Sequence, residues 1–149
     1  MKTYTLSIDE DACWGCKACE VACKQENRSP DGVKFIFISE QDPSGDEERP
    51  ELRFRVNVCR HCDDPPCTHA CPEDAIAKKG DAVVILNEEK CTGCRLCIDS
   101  CPYGVMAFDE DRNRAQKCNL CYLRVTKGLI PACADNVCLA HCIHFSAHP

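Results

Sequence analysis

The sequence has few aromatic residues, no long apolar run and no excess of basic charge. One Trp, three Tyr and five Phe occur in 149 residues, and every apolar run is far shorter than the roughly 20 residues of a membrane-spanning helix. With 24 acidic and 18 basic residues and a net charge of −6, the chain lacks the basic surface that nucleic acids require. The N-terminal residues contain neither an apolar signal segment nor an arginine pair, so we expect no export signal and a cytoplasmic location.

Cysteine is the residue that the chain has in excess. There are 17 cysteines, about one residue in nine, which is typical of a disulfide scaffold or a metal protein. A reducing cytoplasm disfavours disulfides. The other apolar residues make up only about a third of the chain. Because such a chain builds a thin core, we expect metal–thiolate bonds to supply much of its cohesion.

The cysteines form four groups, and this internal repeat is the main feature of the sequence. In the first and third groups the spacing is two, two and three intervening residues. In the second group the middle spacing is four, and the fourth group is less regular. The groups are Cys13, Cys16, Cys19 and Cys23; Cys59, Cys62, Cys67 and Cys71; Cys91, Cys94, Cys97 and Cys101; and Cys118, Cys121, Cys133, Cys138 and Cys142.

This spacing suits a cubane iron–sulfur cluster. Three thiolates separated by two residues can lie on one tight loop and bind three corners of a cube. We expect the fourth cysteine, at the start of a helix, to point towards the cluster of a paired group, as in the bacterial ferredoxin run C-x2-C-x2-C-x3-C-P. The third group matches this run in full, the first has Lys24 in place of the proline, and the second has the longer loop 63–66.

Zinc is the alternative metal. A structural zinc site has four tetrahedral ligands, usually from two separated cysteine pairs. Three cysteines at two-residue spacing do not divide into pairs, so the first and third groups favour iron–sulfur clusters. A structural zinc or interaction module remains the alternative from another functional class.

Local patterns predict short elements around the cysteine groups. Strands are expected at 3–8, 33–39, 52–58, 82–86 and 105–108, and helices at 17–26 and 119–127. Residues 75–76 and 82–86 resemble the arms of a small hairpin. The polar, turn-rich stretch 42–50 indicates an exposed hairpin or loop inserted within 33–58.

The expected fold class is α+β, with two pseudo-repeated, loop-rich modules of bacterial ferredoxin type organised around four 4Fe–4S clusters. Groups two and three form an inner module at 59–115. Groups one and four form an outer module from 1–58 and 116–149. The modules are expected to pack together and not to be independent domains.

The whole pattern resembles a known family. Four cysteine groups, with the last reading Lys117-Cys118-Asn119-Leu120-Cys121, then Gly128 and Pro131-Ala132-Cys133, are similar to the four-cluster electron-transfer subunits of molybdenum and tungsten pterin oxidoreductases. The dimethyl sulfoxide reductase type is the best-known branch. The similarity extends from Thr3 to about Phe145.

The resemblance implies a ligand set for each cluster, in which the last cysteine of each group serves the paired group. The four sets are Cys13, Cys16, Cys19 and Cys138; Cys118, Cys121, Cys133 and Cys23; Cys59, Cys62, Cys67 and Cys101; and Cys91, Cys94, Cys97 and Cys71. Group four departs from the family, since four residues separate Cys133 from Cys138 and Leu139 replaces the usual proline. Alignment on Phe145 favours Cys138 as ligand and Cys142 as the surplus thiol. The reverse assignment stays open, and if neither fits, three clusters form.

The C-terminal stretch 131–142, the short length and the start Cys13-Trp14-Gly15-Cys16-Lys17 look most like small subunits of tungsten enzymes of the aldehyde oxidoreductase and benzoyl-CoA reductase type. This resemblance implies a tungstopterin catalytic partner, favoured over a molybdenum one. A flavin and NAD-binding subunit, a ferredoxin or further copies of the chain are possible additional partners.

The expected function is electron transfer without catalysis, since the sequence offers no catalytic set. A subunit of a hydrogenase or formate dehydrogenase, or an unattached polyferredoxin, is the alternative. Basic residues beside the cysteines are candidates for raising cluster potentials, although a solvated charge is the simpler interpretation of each. They are Lys17, Lys90, Arg95 and Lys117.

Overall fold

The structure, a computed structural model, describes residues 2–46, 48–134 and 137–149. Glu47, in the polar stretch 42–50, and Asp135-Asn136, in the C-terminal stretch 131–142, lie outside the described residues.

Short elements separated by cysteine-rich loops make up the fold. The described chain forms strands β1 (Thr3–Ile8), β2 (Ile36–Glu40), β3 (Ser44–Asp46), β4 (Arg49–Glu51), β5 (Phe54–Val58), β6 (Ile76–Lys78), β7 (Val84–Leu86), β8 (Ala107–Asp109), β9 (Arg114–Gln116) and β10 (Ile143–His148). Its α-helices are α1 (Ala18–Asn27), α2 (Pro66–His69), α3 (Leu96–Ser100) and α4 (Tyr122–Val125). The strands form five separate antiparallel pairs. The mixed composition agrees with the predicted α+β class.

The two ends of the chain meet in one β-ribbon. Strand β1 pairs with β10 from Thr3 opposite His148 to Ile8 opposite Ile143. The rings of Tyr4 and Phe145 stack across this pair with centroids 6.0 Å apart. Because the first cysteine group follows β1 and the fourth group precedes β10, the ribbon brings these sequence-distant groups together.

Two hairpins fill the segment between the first and second cysteine groups. Strand β2 pairs with β5, and β3 pairs with β4 beyond them. The expected hairpin at 42–50 is confirmed, whereas the strands predicted at 33–39 and 52–58 are shorter. The first starts at Ile36 because Val33 donates its N–H to the Pro30 carbonyl in a preceding turn, at 3.2 Å.

Two further hairpins flank the second and third groups. Strand β6 pairs with β7, which confirms the predicted hairpin arms, and β8 pairs with β9. Helices α2 and α3 contact each other between these hairpins. The division into modules at 59–115 and at 1–58 plus 116–149 stays a prediction.

In the first three groups, the third cysteine lies at the start of a helix, where the fourth cysteine was expected. Cys19, Cys67 and Cys97 lie in the first turns of α1, α2 and α3. The fourth cysteine lies further along: Cys23 is inside α1, and Cys101 follows α3. The expectation that the fourth cysteine begins the helix is therefore wrong, because the loop enters the helix already at its third ligand.

The fourth helix is shorter than predicted. Leu120 and Cys121 have φ angles of 56° and 48°, so the helix begins only at Tyr122. Its end is closed by the Thr126 hydroxyl, which donates to the Tyr122 carbonyl at 2.8 Å. Left-handed conformation at two consecutive residues interrupts a helix that the pattern at 119–127 otherwise favours.

The core of the described chain is thin and rich in thiols. Its fully buried aliphatic side chains include Ile36, Val56, Ile76, Val84 and Ile143. Nine buried cysteines lie among them: Cys19, Cys23, Cys67, Cys97, Cys118, Cys121, Cys133, Cys138 and Cys142. In the described segments, no helix combines the length and the apolar character needed to cross a bilayer.

The contact between α1 and β2 gives a testable prediction. Glu20, whose side chain is 11% exposed, accepts a hydrogen bond from the Ile38 N–H and pairs with Lys34, each at 2.7 Å. We expect Glu20→Ala to lower stability by roughly 1–3 kcal/mol, because the Ile38 N–H loses its partner. Thermal unfolding of the anaerobic protein measures the loss.

Lys34→Met is the matched control. It removes only the exposed ion pair, which contributes about 0–1 kcal/mol. If both variants unfold at the same temperature, the buried hydrogen bond does not hold α1 to β2.

Candidate metal centres

The second and third cysteine groups share two cavities and exchange their last cysteines. One cavity, closed by Val84 and Met106, contains a thiol of group three. Its cysteines are Cys59, Cys62, Cys67 and Cys101. The other, closed by Ile76 and Leu86, contains a thiol of group two. Its cysteines are Cys71, Cys91, Cys94 and Cys97.

The first and fourth groups meet in a third cavity beneath the terminal β-ribbon. Trp14, Ile38 and Ile143 line it together with five thiols. Those thiols are Cys13, Cys16, Cys19, Cys138 and Cys142. A loop from near the N-terminus and a segment from near the C-terminus thus contribute to one site.

The remaining set is buried beside α1. Burial raises the pKa of Cys23 to about 12, and the charges of Cys118 and Cys121 add to the effect. Burial also raises the pKa of Cys133, with further contributions from Cys118 and Cys23. These mutual effects place Cys23, Cys118, Cys121 and Cys133 close together. Cysteines of the first and fourth groups therefore lie together in two sets, one of which contains Cys142 as well as Cys138.

Backbone N–H groups point at several of the sulfur atoms. The Leu120 N–H donates to Cys118 Sγ at 3.3 Å, and the Ala115 N–H donates to Cys91 Sγ at 3.4 Å. The Ala75 N–H donates to Cys71 Sγ at 3.4 Å. Such donors stabilise negative charge on sulfur, so these thiols are oriented to act as thiolates.

The fourth group places two thiols at one corner of its cavity. Cys138 Sγ and Cys142 Sγ lie 3.4 Å apart. Burial opposes ionisation of Cys138, but N–H donors at Cys142, Ile143 and Ala140 lower its pKa below the ordinary value. Burial raises the pKa of Cys142, and its contact with Cys138 raises it further. The hydrogen bonds therefore favour the thiolate form of Cys138 over that of Cys142.

The donor set fits iron–sulfur clusters. Burial raises the pKa of Cys19 and Cys118 to about 12 and that of Cys97 to about 11, so these thiols do not ionise at neutral pH without a nearby cation. Iron supplies that cation, since a coordinated thiol is deprotonated. Within the described residues, no three His, Cys, Asp or Glu side chains are grouped so as to hold a single metal ion.

Two of the cysteines are exposed, and they belong to different groups. Cys16 in the first group and Cys94 in the third are exposed, whereas the set containing Cys118 is buried. Trp14 lines the cavity of Cys16 but is 65% exposed, and Tyr103 lines the cavity of Cys59. The first and third groups are therefore accessible to solvent at these two cysteines.

The four basic residues beside cysteines differ in their exposure and contacts. Lys17 and Lys90 are exposed. Arg95 pairs with Glu110 at 2.6 Å and lies over the Phe108 ring. Lys117 is only 4% exposed. No signal in the sequence distinguishes Lys117 from the others, since all four stand beside a cysteine.

His61 is a residue whose role sequence reasoning missed. Its Nδ1 accepts a hydrogen bond from the Val84 N–H at 3.0 Å. Burial, with the nearby charge of Lys117, lowers its pKa to about 3, so the ring is neutral at physiological pH. This histidine, between Cys59 and Cys62, connects its loop to β7 through that hydrogen bond.

Comparison with protein families decides which metal centre these sets form. Two family models, each described as a 4Fe-4S dicluster domain, match residues 12–76 and 50–148. The chain belongs to the 4Fe-4S dicluster family. Together the two dicluster domains and the cysteine sets support four 4Fe–4S clusters and favour them over the zinc alternative.

Curated relatives of this dicluster protein cover most of its length. A chain of the anaerobic dimethyl sulfoxide reductase of Escherichia coli K12 is 36% identical over 140 residues, which are 89% of this chain and 68% of that protein. A subunit of the Salmonella typhimurium tetrathionate reductase is 33% identical, covering 89% and 54%. A Halobacterium salinarum protein named as a putative dimethyl sulfoxide reductase iron-sulfur subunit is 34% identical, covering 91% and 63%.

The loop of the third cysteine group gives a prediction at Gly93. Its φ is +78°, and an added Cβ would lie 2.3 Å from the Asn113 carbonyl oxygen. We expect Gly93→Ala to distort the loop between Cys91 and Cys94 and to reduce the iron content by about four atoms per chain, one cluster. Iron and acid-labile sulfide analysis measures this loss.

Gly104→Ala is the control, because it introduces strain in a left-handed backbone without a close contact of the new Cβ. Gly104 has a φ of +60°, and no described atom lies within 4 Å of its added Cβ. The cost is then only the left-handed strain of about 1–2 kcal/mol, with all clusters retained. Equal iron contents in the two variants would contradict the proposed role of the Asn113 contact.

The paired thiols at Cys138 and Cys142 give a second prediction. If Cys138 is the ligand, Cys142→Ser keeps the full iron content, whereas Cys138→Ser loses about one iron or one whole cluster. Electron paramagnetic resonance identifies a three-iron product. The opposite pattern, with loss only in Cys142→Ser, would reverse the assignment.

Proposed function

We propose that this chain is the electron-transfer subunit of a pterin-containing reductase of the dimethyl sulfoxide or tetrathionate reductase type. The observation that carries this proposal is the 36% identity to a chain of an anaerobic dimethyl sulfoxide reductase over 89% of the present sequence. The chain itself is not a catalytic subunit. It relays electrons between a molybdopterin catalytic partner and another redox carrier.

The proposed ligand assignment combines the family resemblance with the cysteines that lie close together in the structure. Four cysteines hold each cluster, and the last cysteine of each group serves the paired group. The sets are Cys13, Cys16, Cys19 and Cys138; Cys23, Cys118, Cys121 and Cys133; Cys59, Cys62, Cys67 and Cys101; and Cys71, Cys91, Cys94 and Cys97.

The order of the four clusters along the proposed electron path follows from which cysteines of different sets lie close together. Cys19 and Cys23 lie on α1 and belong to adjacent sets. The charge of Cys59 contributes to the raised pKa of Cys118, second only to burial, so the Cys118 set adjoins the Cys59 set. The Cys59 and Cys91 sets exchange their last cysteines. We therefore infer a linear path from the exposed Cys16 end to the exposed Cys94 end.

The protein contributes orientation and electrostatics to this path. When bound, each cluster supplies reversible one-electron exchange at a potential that depends on charge, hydrogen bonds to sulfur and exposure. The N–H donors at Leu120, Ala75 and Ala115 fix the direction of their sulfur partners. The buried surroundings of Cys118 and Cys133 exclude water from the middle of the path.

A tungsten enzyme of aldehyde oxidoreductase type is the finer candidate for the partner. It is supported by the C-terminal stretch 131–142, where Cys138 and Cys142 replace the usual ligand spacing. In that case a flavin and NAD-binding subunit, a ferredoxin or a further copy of the chain would accept the electrons. Metal analysis of the partner distinguishes the two candidates.

The proposed function predicts a specific complex. We expect the chain isolated anaerobically from its native host to co-purify with a larger subunit that contains a pterin and molybdenum or tungsten. After reduction by dithionite, the chain should pass electrons to that subunit in stopped-flow absorbance measurements. The chelator-treated chain, which lacks iron, is the control and should not.

Molybdenum in the partner supports the reductase type, and tungsten supports the aldehyde oxidoreductase type. Co-purification with a nickel-containing subunit would contradict both. A fully clustered chain that does not exchange electrons with the pterin subunit would also contradict the proposal.

A further inference from the structure

Lys117 is a cation buried between two of the cysteine sets. Lys117 is 4% exposed. Its ammonium group donates hydrogen bonds to the carbonyl oxygens of Val84, at 2.5 Å, and of Cys118, at 2.6 Å. A buried ammonium is costly unless it is paired as well as hydrogen-bonded. The two carbonyls satisfy hydrogen bonds but carry no net charge.

The surroundings of Lys117 supply no ordinary counter-charge. Among the described carboxylates, none lies within 4.0 Å of Lys117 Nζ. The neighbouring His61 ring carries no negative charge in either protonation state. Its Nε2 atom is buried and has no hydrogen-bond partner among the described residues. Within the described part of the chain, the cysteine sets are the remaining source of negative charge near Lys117.

Both neighbouring sets lie next to this ammonium group. One of its acceptors is the carbonyl oxygen of Cys118, a member of one set. Val84, which receives one hydrogen bond, lines the cavity that contains Cys67. Lys117 thus lies between the Cys59 set and the Cys118 set.

We propose that Lys117 is the internal counter-ion shared by these two sites and that it raises the reduction potentials of both clusters together. This inference rests on the proposed function, since it assumes that both sets hold clusters. Reduction adds negative charge, and a fixed cation nearby stabilises the reduced form. In a buried, weakly polar surrounding this effect is large and poorly screened by salt.

A shared counter-ion has a consequence for electron flow. The Cys118 set is buried, and burial disfavours the negative charge that reduction adds to its cluster. A single cation at Lys117 acts on this cluster and on that of the Cys59 set. It therefore keeps the central step of the path from becoming an energetic barrier.

Lys117→Gln tests the proposal, since glutamine keeps a hydrogen-bond donor but removes the charge. In an anaerobic redox titration followed by electron paramagnetic resonance, we expect the two flanking clusters to become about tenfold harder to reduce, which is about 59 mV for one electron. The clusters of the Cys13 and Cys91 sets should shift much less. Serine replacement of one cysteine in each set assigns the signals.

Lys90→Gln is the matched control. Lys90 precedes Cys91 as Lys117 precedes Cys118, but it is exposed, so solvent screens its charge. We expect all four potentials to remain close to those of the unmodified chain. Equal shifts in the two variants, or a uniform shift of all four clusters in Lys117→Gln, would overturn the proposal.

Lys117→Met decides the case in which Lys117→Gln does not assemble its clusters. It also removes the charge while keeping the length of the side chain, so only the two flanking potentials should fall. Four unchanged potentials, or changes confined to the Cys13 and Cys91 sets, would overturn the inference. Iron analysis of the unmodified chain separates the two claims: an absence of clusters there contradicts the proposed function itself.

Discussion

The fold depends on buried thiols that must converge from distant parts of the sequence. Burial raises the pKa of Cys19, Cys23 and Cys118 to about 12, so these groups become thiolates only when a metal binds them. Metal binding and folding are coupled in such a site, because the unfolded chain offers no preformed set of ligands. The aliphatic core is thin, and the clusters take over much of its structural role.

This constraint explains the unusual shape of the secondary structure. The five separate two-stranded ribbons and four short α-helices of the described residues would be marginal on their own, since an isolated hairpin is barely stable in water. Each element instead positions a cysteine loop. The pairing of β1 with β10 brings the first group to Cys138, and the hairpin β6–β7 presents Val84 to the cavity of Cys59.

The sequence predicted most of the strands, because alternation is a local pattern. The sets that join cysteines of different groups came from the family resemblance and are a proposal, because ligand spacing within one group does not reveal which other group it meets. The sequence could not predict where the helices start, since that depends on left-handed residues such as Cys121, which shorten the helix expected at 119–127. The burial of Lys117 also escaped it, because Lys17 and Lys90 stand beside cysteines in the same way. The burial of Lys117 depends on contacts with β7, which is distant from Lys117 in the sequence.

Mössbauer spectroscopy of the anaerobic protein grown on iron-57 tests the central claim most directly. If thiolate-bound cubanes organise this fold, the chain contains about sixteen iron atoms, all with the signature of 4Fe–4S clusters. A folded chain with zinc in place of iron, or with iron for only one or two clusters, would contradict the account.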